Sequence, residues 1–378
     1  MKKPRLLLTN ILVFTITGLI AAVLVPLEAL INGFDAFEII ACVVLIYFSG
    51  MSITAGYHRL WSHKAYEANV FVRVVLAIGG AMSLQNSILH WCSDHRIHHK
   101  HVDDNDHDPY SAKKGFWYSH IGWMLREYQI HRYDDYSNCR DLQKDPVVMW
   151  QHKHYLKIML SANFGVPLLL GWLNGDIWGM LLLAGVFRLV VVHHVTFFIN
   201  SLAHIWGKQP YTDKNTARDN DILAFFTFGE GYHNFHHIFE YDYRNGIKWW
   251  QFDPTKWLIK GLSLIGWTSK LRRCPEERIE KAKVAMQLKL AQEKVSKMAN
   301  ADEILAKVQI EYELLAQRMT DYYAAKKQLM AIKKQSLKRS YENLEVHYKY
   351  KELKQSLAVQ KQKWLHINQF DFLPAMAE

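Results

Sequence analysis

Phe37-Glu-Ile-Ile-Ala-Cys-Val-Val-Leu-Ile-Tyr-Phe-Ser-Gly-Met-Ser-Ile-Thr-Ala-Gly-Tyr57 is an apolar run that leads directly into His58-Arg-Leu-Trp-Ser-His63. The run is long enough to cross a bilayer as a helix. Its one charge, Glu38, sits at the start. A span that delivers two histidines at its exit points to an α-helical membrane protein with polar chemistry at one membrane face.

Upstream, about 6–27 reads as a first span, and Asn32-Gly-Phe-Asp35 as the turn of a hairpin. The basic start Met1-Lys-Lys-Pro-Arg5 could also introduce a signal peptide. The run after it is long enough to span and has no clear small-residue cleavage site, so it reads as an anchor. Lys2, Lys3 and Arg5 precede the first span, and Arg59 and Lys64 follow the second, at about 37–57. That bias puts both ends in the cytoplasm.

Downstream, Asn69 to Leu89 is apolar but carries Arg73, Gln85 and Asn86. If it spanned, the histidines on either side would face opposite compartments, so an interfacial or partly buried helix is expected. A second hairpin follows, with spans at about 156–173 and 177–199 around Asn174-Gly-Asp176. Arg188 falls inside the last span and is expected to face protein in a structural pairing. Residues 58–155 and 200–270 form a His-rich helical cap, and Trp249, Trp250, Trp257 and Trp267 suit an interfacial aromatic belt. The expected fold is therefore an all-α membrane protein: four transmembrane helices in two hairpins, a cytoplasmic cap and a long helical tail.

No glycine or proline occurs between Glu276 and Leu373, and good helix formers dominate there. Leu305, Val308, Tyr312, Leu315, Met319 and Tyr322 alternate by three and four, as a coiled-coil seam does. Leu337, Tyr341, Leu344 and Tyr348 restart the register. Residues 271–378 thus form a helical extension to a domain of residues 1–270. It either packs on its own chain, folded back as a hairpin, or serves as an arm for self-association or a partner.

The net charge of +10 suits a cytoplasmic face or an anionic membrane surface. No basic–aromatic nucleic-acid motif occurs, so nucleic acid is not an expected partner. Cys42, Cys92, Cys139 and Cys274 form no CxxC pair, which disfavours an iron–sulfur or zinc-ribbon site and suits a reducing compartment.

Eight of the 20 histidines fall in three groups: His58 and His63; His95, His98 and His99; His233, His236 and His237. A ninth closes Asn200-Ser-Leu-Ala-His204. Single histidines are mostly packing or surface residues, but imidazoles grouped in this way suit a transition metal. In the second and third groups the i, i+3, i+4 spacing puts three rings on one helix face. One such face can serve two adjacent metals.

The pattern HX4H, HX2HH, HX2HH with an intervening NSxAH resembles the membrane-bound acyl-CoA desaturases of the stearoyl-CoA delta-9 type. The flanking words agree: Thr54-Ala-Gly-Tyr-His58, Asp94 to Lys100, Gly115-Phe-Trp-Tyr-Ser-His120-Ile-Gly-Trp123 and Gly229-Glu-Gly-Tyr-His233. The resemblance covers roughly residues 5 to 270 and leaves the tail outside. It implies an O2-dependent enzyme that inserts a cis double bond into a saturated long-chain acyl-CoA. A methylene chain offers no acidic proton, so an oxidant made from O2 must do the hard step while the protein positions it.

The resemblance implies a di-iron centre as the catalytic element. It carries His58, His63, His95, His98, His99, His204, His233, His236 and His237 over as ligands, with Asn200 acting through a water. Zinc fills the same ligands when it is in excess. Asp94, Asp103, Asp104, Asp106, Asp108 and Glu230 are candidates to orient the rings. His107 and His120 read as supporting residues, and His193 and His194 as packing or tunnel wall. His90, His101, His131, His152, His154, His347 and His366 read as surface or local structure.

Gln85, Asn86, Trp91 and Asp94 are placed by the resemblance at the substrate. Phe197 and Phe198 stand where animal relatives carry Thr and Trp at the bend. Ile46 and Gly50 mark the tunnel end, where simple helix packing is the other reading. Lys113, Lys114 and Arg126, with Arg96 and Lys100, are the basic residues available to the coenzyme A headgroup. Ser93 and Glu127 depart from the basic residues of the animal enzymes.

Two alternatives stand beside this reading. One is a related membrane di-iron hydroxylase or monooxygenase, whose first box typically reads HX3H rather than HX4H. The other is a desaturase acting on acyl-phospholipid or acyl carrier protein. A scaffold protein that kept only the fold would be expected to lose ligands, and none is lost. The electron donor is expected to be external, of ferredoxin, cytochrome b5 or flavodoxin type, with its reductase. A multi-pass protein of the bacterial cytoplasmic membrane is expected, or of the endoplasmic reticulum if the source is eukaryotic.

Overall fold

Asp35 starts the second span. Its side chain accepts the backbone N–H of Glu38, and the Glu38 carboxylate accepts that of Asp35. This reciprocal cap satisfies orphan amides at the helix start and sets where the apolar run begins. The computed structural model describes residues 4–298, 300–335 and 340–369. Among them, four helices are long and apolar enough to cross a membrane: Leu8–Ile31, Ala36–Ser62, Tyr155–Asn174 and Ile177–His204. The second and fourth run past the expected ends because they continue, fully wound, into the polar residues of the site. The third and fourth join through Gly175 at φ 84, followed by Asp176, which caps the Gly179 amide.

The helix Val70–Met82 has 13 residues, about 20 Å of length, and is too short to cross. Asn69 caps it through the Val72 amide. Leu76, Ala77, Gly79, Gly80 and Met82 are buried, and the glycines allow close approach to the second span. A Cβ on Gly80 would strike the Tyr57 ring, and one on Gly79 the Ser52 hydroxyl. Gly80→Ala is therefore expected to destabilise by about 1–3 kcal/mol through overpacking. Gly18→Ala, with open space around it, should be neutral or stabilising. Thermal melts of the two variants in detergent check this contrast.

Arg188 is fully buried and bonds three oxygens: the Ala184 and Met82 carbonyls and Asn163 Oδ1 at 2.6 Å. Its pairing is with neutral acceptors, and it ties the third and fourth spans to the end of the short helix. The start of the first span is held by the cap: the Leu7 amide bonds the Leu125 carbonyl, and the Glu127 amide bonds the Arg5 carbonyl. A two-residue antiparallel ladder, Glu67–Ala68 on Thr268–Ser269, closes the far end of the cap. Trp249, Trp250, Trp257 and Trp267 are exposed. All four cysteines are free and buried.

Residues 210–212 and 274–378 form a second unit. Its helices Glu276–Val295, Ala301–Gln335 and Ser340–Gln369 pack on one another. Val308, Leu315 and Met319 are buried in a core with Val284, Val295 and Leu357. Trp364 is buried in it too, and its indole N–H donates to Gln287. The seam seen in the sequence is thus covered by this chain's own helices. Leu337 lies outside the described residues, as do Lys2, Lys3 and the side chains of Tyr341, Leu344 and His131.

Candidate metal centre

The last 11 residues of the second span, Ser52–Ser62, wind as a π-helix. The His63 amide bonds the His58 carbonyl at 3.1 Å, closing a five-residue turn. In an α-helix, residues five apart point about 140° away from each other. Here the two rings meet, with centroids 4.8 Å apart. Such local winding is frequent at functional sites.

His95, His98 and His99 come from the helix Ile88–His101, which Ser87 caps. His233, His236 and His237 come from the short helix His233–Ile238. His204 ends the fourth span. Nine rings gather into two groups of metal-ligating atoms: His58, His63, His95, His99 and His236; and His98, His204, His233 and His237. Each box helix serves both groups.

Within the first group, His236 Nε2 lies 3.0 Å from both His58 and His99 Nε2, and His63 lies 2.8 Å from His95. In the second, His233 Nε2 is 3.1 Å from His204 and 3.0 Å from His237. The groups adjoin, with His98 and His237 Nε2 3.3 Å apart. Nitrogens bound at about 2.0–2.1 Å to one ion lie roughly 3 Å from each other. Converged donors at this spacing fit a metal better than they fit hydrogen bonding among themselves.

The outward nitrogens of six rings have polar neighbours. His58 Nδ1 is 3.0 Å from Glu230 and His98 Nδ1 2.9 Å from Asp108. His99 Nδ1 is 3.2 Å from Glu240, which also lies 3.7 Å from His63. His204 Nδ1 is 2.9 Å from the Thr216 hydroxyl, which donates to Asp103, and His95 Nδ1 is 3.2 Å from Tyr110. Carboxylate and hydroxyl partners of this kind fix ring orientation at metal sites. Burial, reinforced by neighbouring imidazoles, holds His63, His95, His233, His236 and His237 well below the usual imidazole range. His99 falls to about 4. These six rings stay neutral, the form a metal binds. Burial works to raise the Glu230 carboxyl, but His58 and Arg59 hold it below the ordinary range.

Glu240 was not among the expected carboxylates. Its signal was its place three residues after His237, one helical turn beyond the box. Asp94, Asp104 and Asp106 serve elsewhere. Asp94 pairs with Arg132 at 2.9 Å and lies 3.4 Å from His90, and Asp104 binds His107. Burial pushes the Asp94 carboxyl up against the pull of Arg132.

Beside the clusters is a cavity of about 220 Å³, lined by Gln85, Asn86, Trp91, Asp94 and Asn200 among others. Trp91 stacks on His95 at 4.9 Å, and Tyr110, also lining it, stacks on His98 at 4.4 Å. The cavity is therefore separated from a ring of each group by one aromatic side chain. His90, read from sequence as local structure, is buried in this wall with Arg132, Tyr133 and Trp123. Leu7, Asn10 and Phe14 of the first span close it.

Several substrate residues fall elsewhere. Thr196 and Phe197 line the cavity; Phe198 does not, and packs on His120 at 4.8 Å. One residue along a helix rotates a side chain by about 100°, which accounts for the shift. Arg126 is spent on the Pro4 carbonyl, and Lys114 lies over Tyr118. Neither they nor Lys113 line the cavity. Arg96 is bound to Asp141 and to the Trp61 and Ser62 carbonyls. Ile46 packs in the span core, and the space next to Gly50 is filled by the Phe228 ring. A larger apolar cavity, about 580 Å³, lies among the first, third and fourth spans and shares Leu84 with the first cavity. His120 bonds His194 and Ser201, and His193 bonds the Ser83 carbonyl.

The family model for fatty acid desaturases matches residues 37–264. A probable acyl-CoA desaturase of Schizosaccharomyces pombe is 47% identical over 253 residues, 67% of this chain and 52% of that protein. Acyl-CoA desaturase 1 of Saccharomyces cerevisiae is 46% identical over 250 residues, 66% and 49% of the two chains. Stearoyl-CoA desaturase 5 of Homo sapiens is 35% identical over 239 residues, 62% and 72%. The aligned region spans about half the length of the two fungal relatives. The matched region carries the second, third and fourth spans, both box helices and the histidine clusters, and on that agreement this chain belongs to the fatty acid desaturase family.

Proposed function

We propose that this protein is an O2-dependent acyl-CoA desaturase that places a cis double bond, at the delta-9 position, in a long-chain saturated acyl group. The observation that carries the reading is two adjoining sets of imidazoles, five and four, beside a cavity that borders an apolar space between the spans. Two iron ions would fit these sets, held by the nine imidazoles, and Asn200 would reach one of them through a water. Iron held there supplies the oxidising power, drawn from O2, that an unactivated methylene requires.

The chain's own residues bind, bend and dry the substrate. Gln85 accepts from the Trp91 indole at 3.3 Å and donates to the Thr196 hydroxyl at 2.9 Å. This latch joins the box-bearing region to the fourth span and fixes the wall where the acyl chain would turn past the clusters. The larger cavity suits the rest of a hydrocarbon chain in size and apolarity. Asp94 and Arg132 neutralise each other at the smaller cavity and leave Arg132 donors for a thioester or headgroup. Ser62, Lys64, Arg96 and Lys100 border a separate opening of about 370 Å³ that reaches His63 and His99. Asp141 pairs with Lys64 and Arg96, and Glu240 shares the lining, so the cationic excess of this edge is small and rests on Lys100; it favours an acidic external electron donor, of ferredoxin, cytochrome b5 or flavodoxin type. The basic residues flanking the spans support a cap and termini on the cytoplasmic side.

The test is expression in a host lacking desaturase activity, with a redox partner supplied, and analysis of total fatty acids by gas chromatography–mass spectrometry. A new cis-monoene is expected. A hydroxylated product, or none from iron-loaded protein receiving electrons, would sink the proposal. In the same assay Gln85→Ala should cut turnover by roughly 10–100-fold, because small misplacements at a reacting centre cost that much. It should also spread the double bond over more than one position; an unchanged rate and a single unchanged isomer would remove Gln85 from the positioning role.

A further inference from the structure

Residues 101 to 108, leaving the second-box helix, have two faces. The inner face supports the clusters: Asp108 pairs with His98 at 2.9 Å, and Asp103 accepts the Thr216 amide and hydroxyl at 2.6 Å each. Asp103 reaches inward because its backbone is left-handed, at φ 67. The outer face carries His101, Asp104 and His107, which the centre leaves unused. One ligand atom from each lies within 4.8 Å of the others.

This outer group is held in place by the loop. Asp104 Oδ1 accepts the amides of Asp106 at 2.8 Å and His107 at 3.3 Å, which leaves Oδ2 beside His107 Nδ1 at 2.8 Å. The His101 and His107 rings stack at 5.1 Å and 27°. Gln129 donates to the carbonyls of Asp106 and His107, pinning the loop from the other side. His107 is exposed and His101 and Asp104 are half-buried, so a dissolved ion can reach all three.

Two imidazoles and a carboxylate suit zinc, copper, nickel or cobalt; calcium would need a shell of oxygens. Three protein ligands with a water are a common zinc arrangement. We propose that His101, Asp104 and His107 form a third metal site, for a divalent first-row ion such as zinc, separate from the nine-histidine centre. Occupancy draws together the outer face of the same loop whose inner carboxylates hold His98 and the Thr216–His204 pair. The site thus couples a surface ion to the support of the second cluster. It does not depend on the reaction the centre performs.

The experiment uses the full chain with its histidine centre loaded with iron, titrated with Co2+. Visible absorption reports ligation, and metal per chain is counted after gel filtration. One additional Co2+ per chain is expected, displaced by Zn2+. His107→Ala removes a ligand, whereas Asp104→Asn keeps the turn acceptor and removes the charge. Both should weaken Co2+ binding by at least roughly 100-fold, more than loss of an orienting residue costs, while iron content and basal turnover hold. Uptake that both variants share, uptake that appears only as iron is lost, or no additional uptake overturns the proposal.

Discussion

Replacing His236 with alanine is expected to abolish product formation, by at least roughly 100-fold, and to lower the iron content of the purified protein. His236 is the one residue of the third box in the first group, with Nε2 3.0 Å from both His58 and His99. Without it, four imidazoles remain and the short helix His233–Ile238 no longer reaches that group. Loss of a residue that only orients a ligand costs 10–100-fold at metal sites, so loss of a ligand sets the larger figure. The spans should survive, because their packed core of Cys42, Leu45, Met180 and Leu182 does not involve this ring. Metal analysis and product yield, beside a melt in detergent, separate loss of the centre from loss of the fold. His120→Ala is the control: His120 bonds His194 and Ser201, so iron should be retained. Full iron and full turnover in His236→Ala would show that the clusters are not the centre.

The largest stability effect is expected at Arg59, the residue after the first histidine of the first box. Its guanidinium is buried, with a side-chain exposure of 1%. It donates to Glu230 Oε1 at 2.9 and 3.3 Å, to Asp253 at 3.1 Å and to the Tyr243 carbonyl at 2.8 Å. Arg59→Ala leaves two buried carboxylates without their cation. Breaking a buried pair from one side costs about 3–5 kcal/mol. Glu230 also holds His58, so the loss should reach the metal: iron affinity falls along with the melting temperature. Arg59→Lys keeps the charge but not the fork that meets Glu230 and the Tyr243 carbonyl together, and should recover only part of the loss. In Arg59→Ala/Glu230→Gln the two losses should not add, because each substitution removes the other's partner. A melt of Arg59→Ala within about 0.5 kcal/mol of the parent, the range of ordinary surface substitutions, would contradict this account.

Much of the fold was legible because hydrophobic length is a local property. Runs of apolar residues placed four spans, and a turn of Asn, Gly and Asp marked the second hairpin. The short helix after the first box could be kept out of the bilayer on logic alone, since histidines serving one centre must share a side. The end points were less legible. The second and fourth spans continue through Arg59 and Asn200 to Ser62 and His204, because burial in the cap compensates polar residues that lipid would not accept. The basic residues offered to a headgroup were read from charge, yet Arg96 and Arg126 are consumed by internal carbonyls and Asp141. A formal charge in a sequence does not show what has already paired with it. His90 and Glu240 were passed over for the same reason: neither sits in a repeated word, and only the folded chain brings them to the wall and to the rings.

The sequence by itself determined the identity of the nine histidines, the family and the helical membrane architecture, since each rests on residue type and short-range spacing. What the tertiary structure alone decided is how those histidines divide. On ideal α-helical geometry His58 and His63 diverge; the π-wound end of the second span turns them to one face. His98 joins one group while His95 and His99 join the other, and His236 separates from His233 and His237. That division follows from two short helices, about 135 residues apart in the chain, meeting across the ends of two spans. Spacing within one helix sets which rings share a face, whereas packing between distant helices sets which ion each ring can meet.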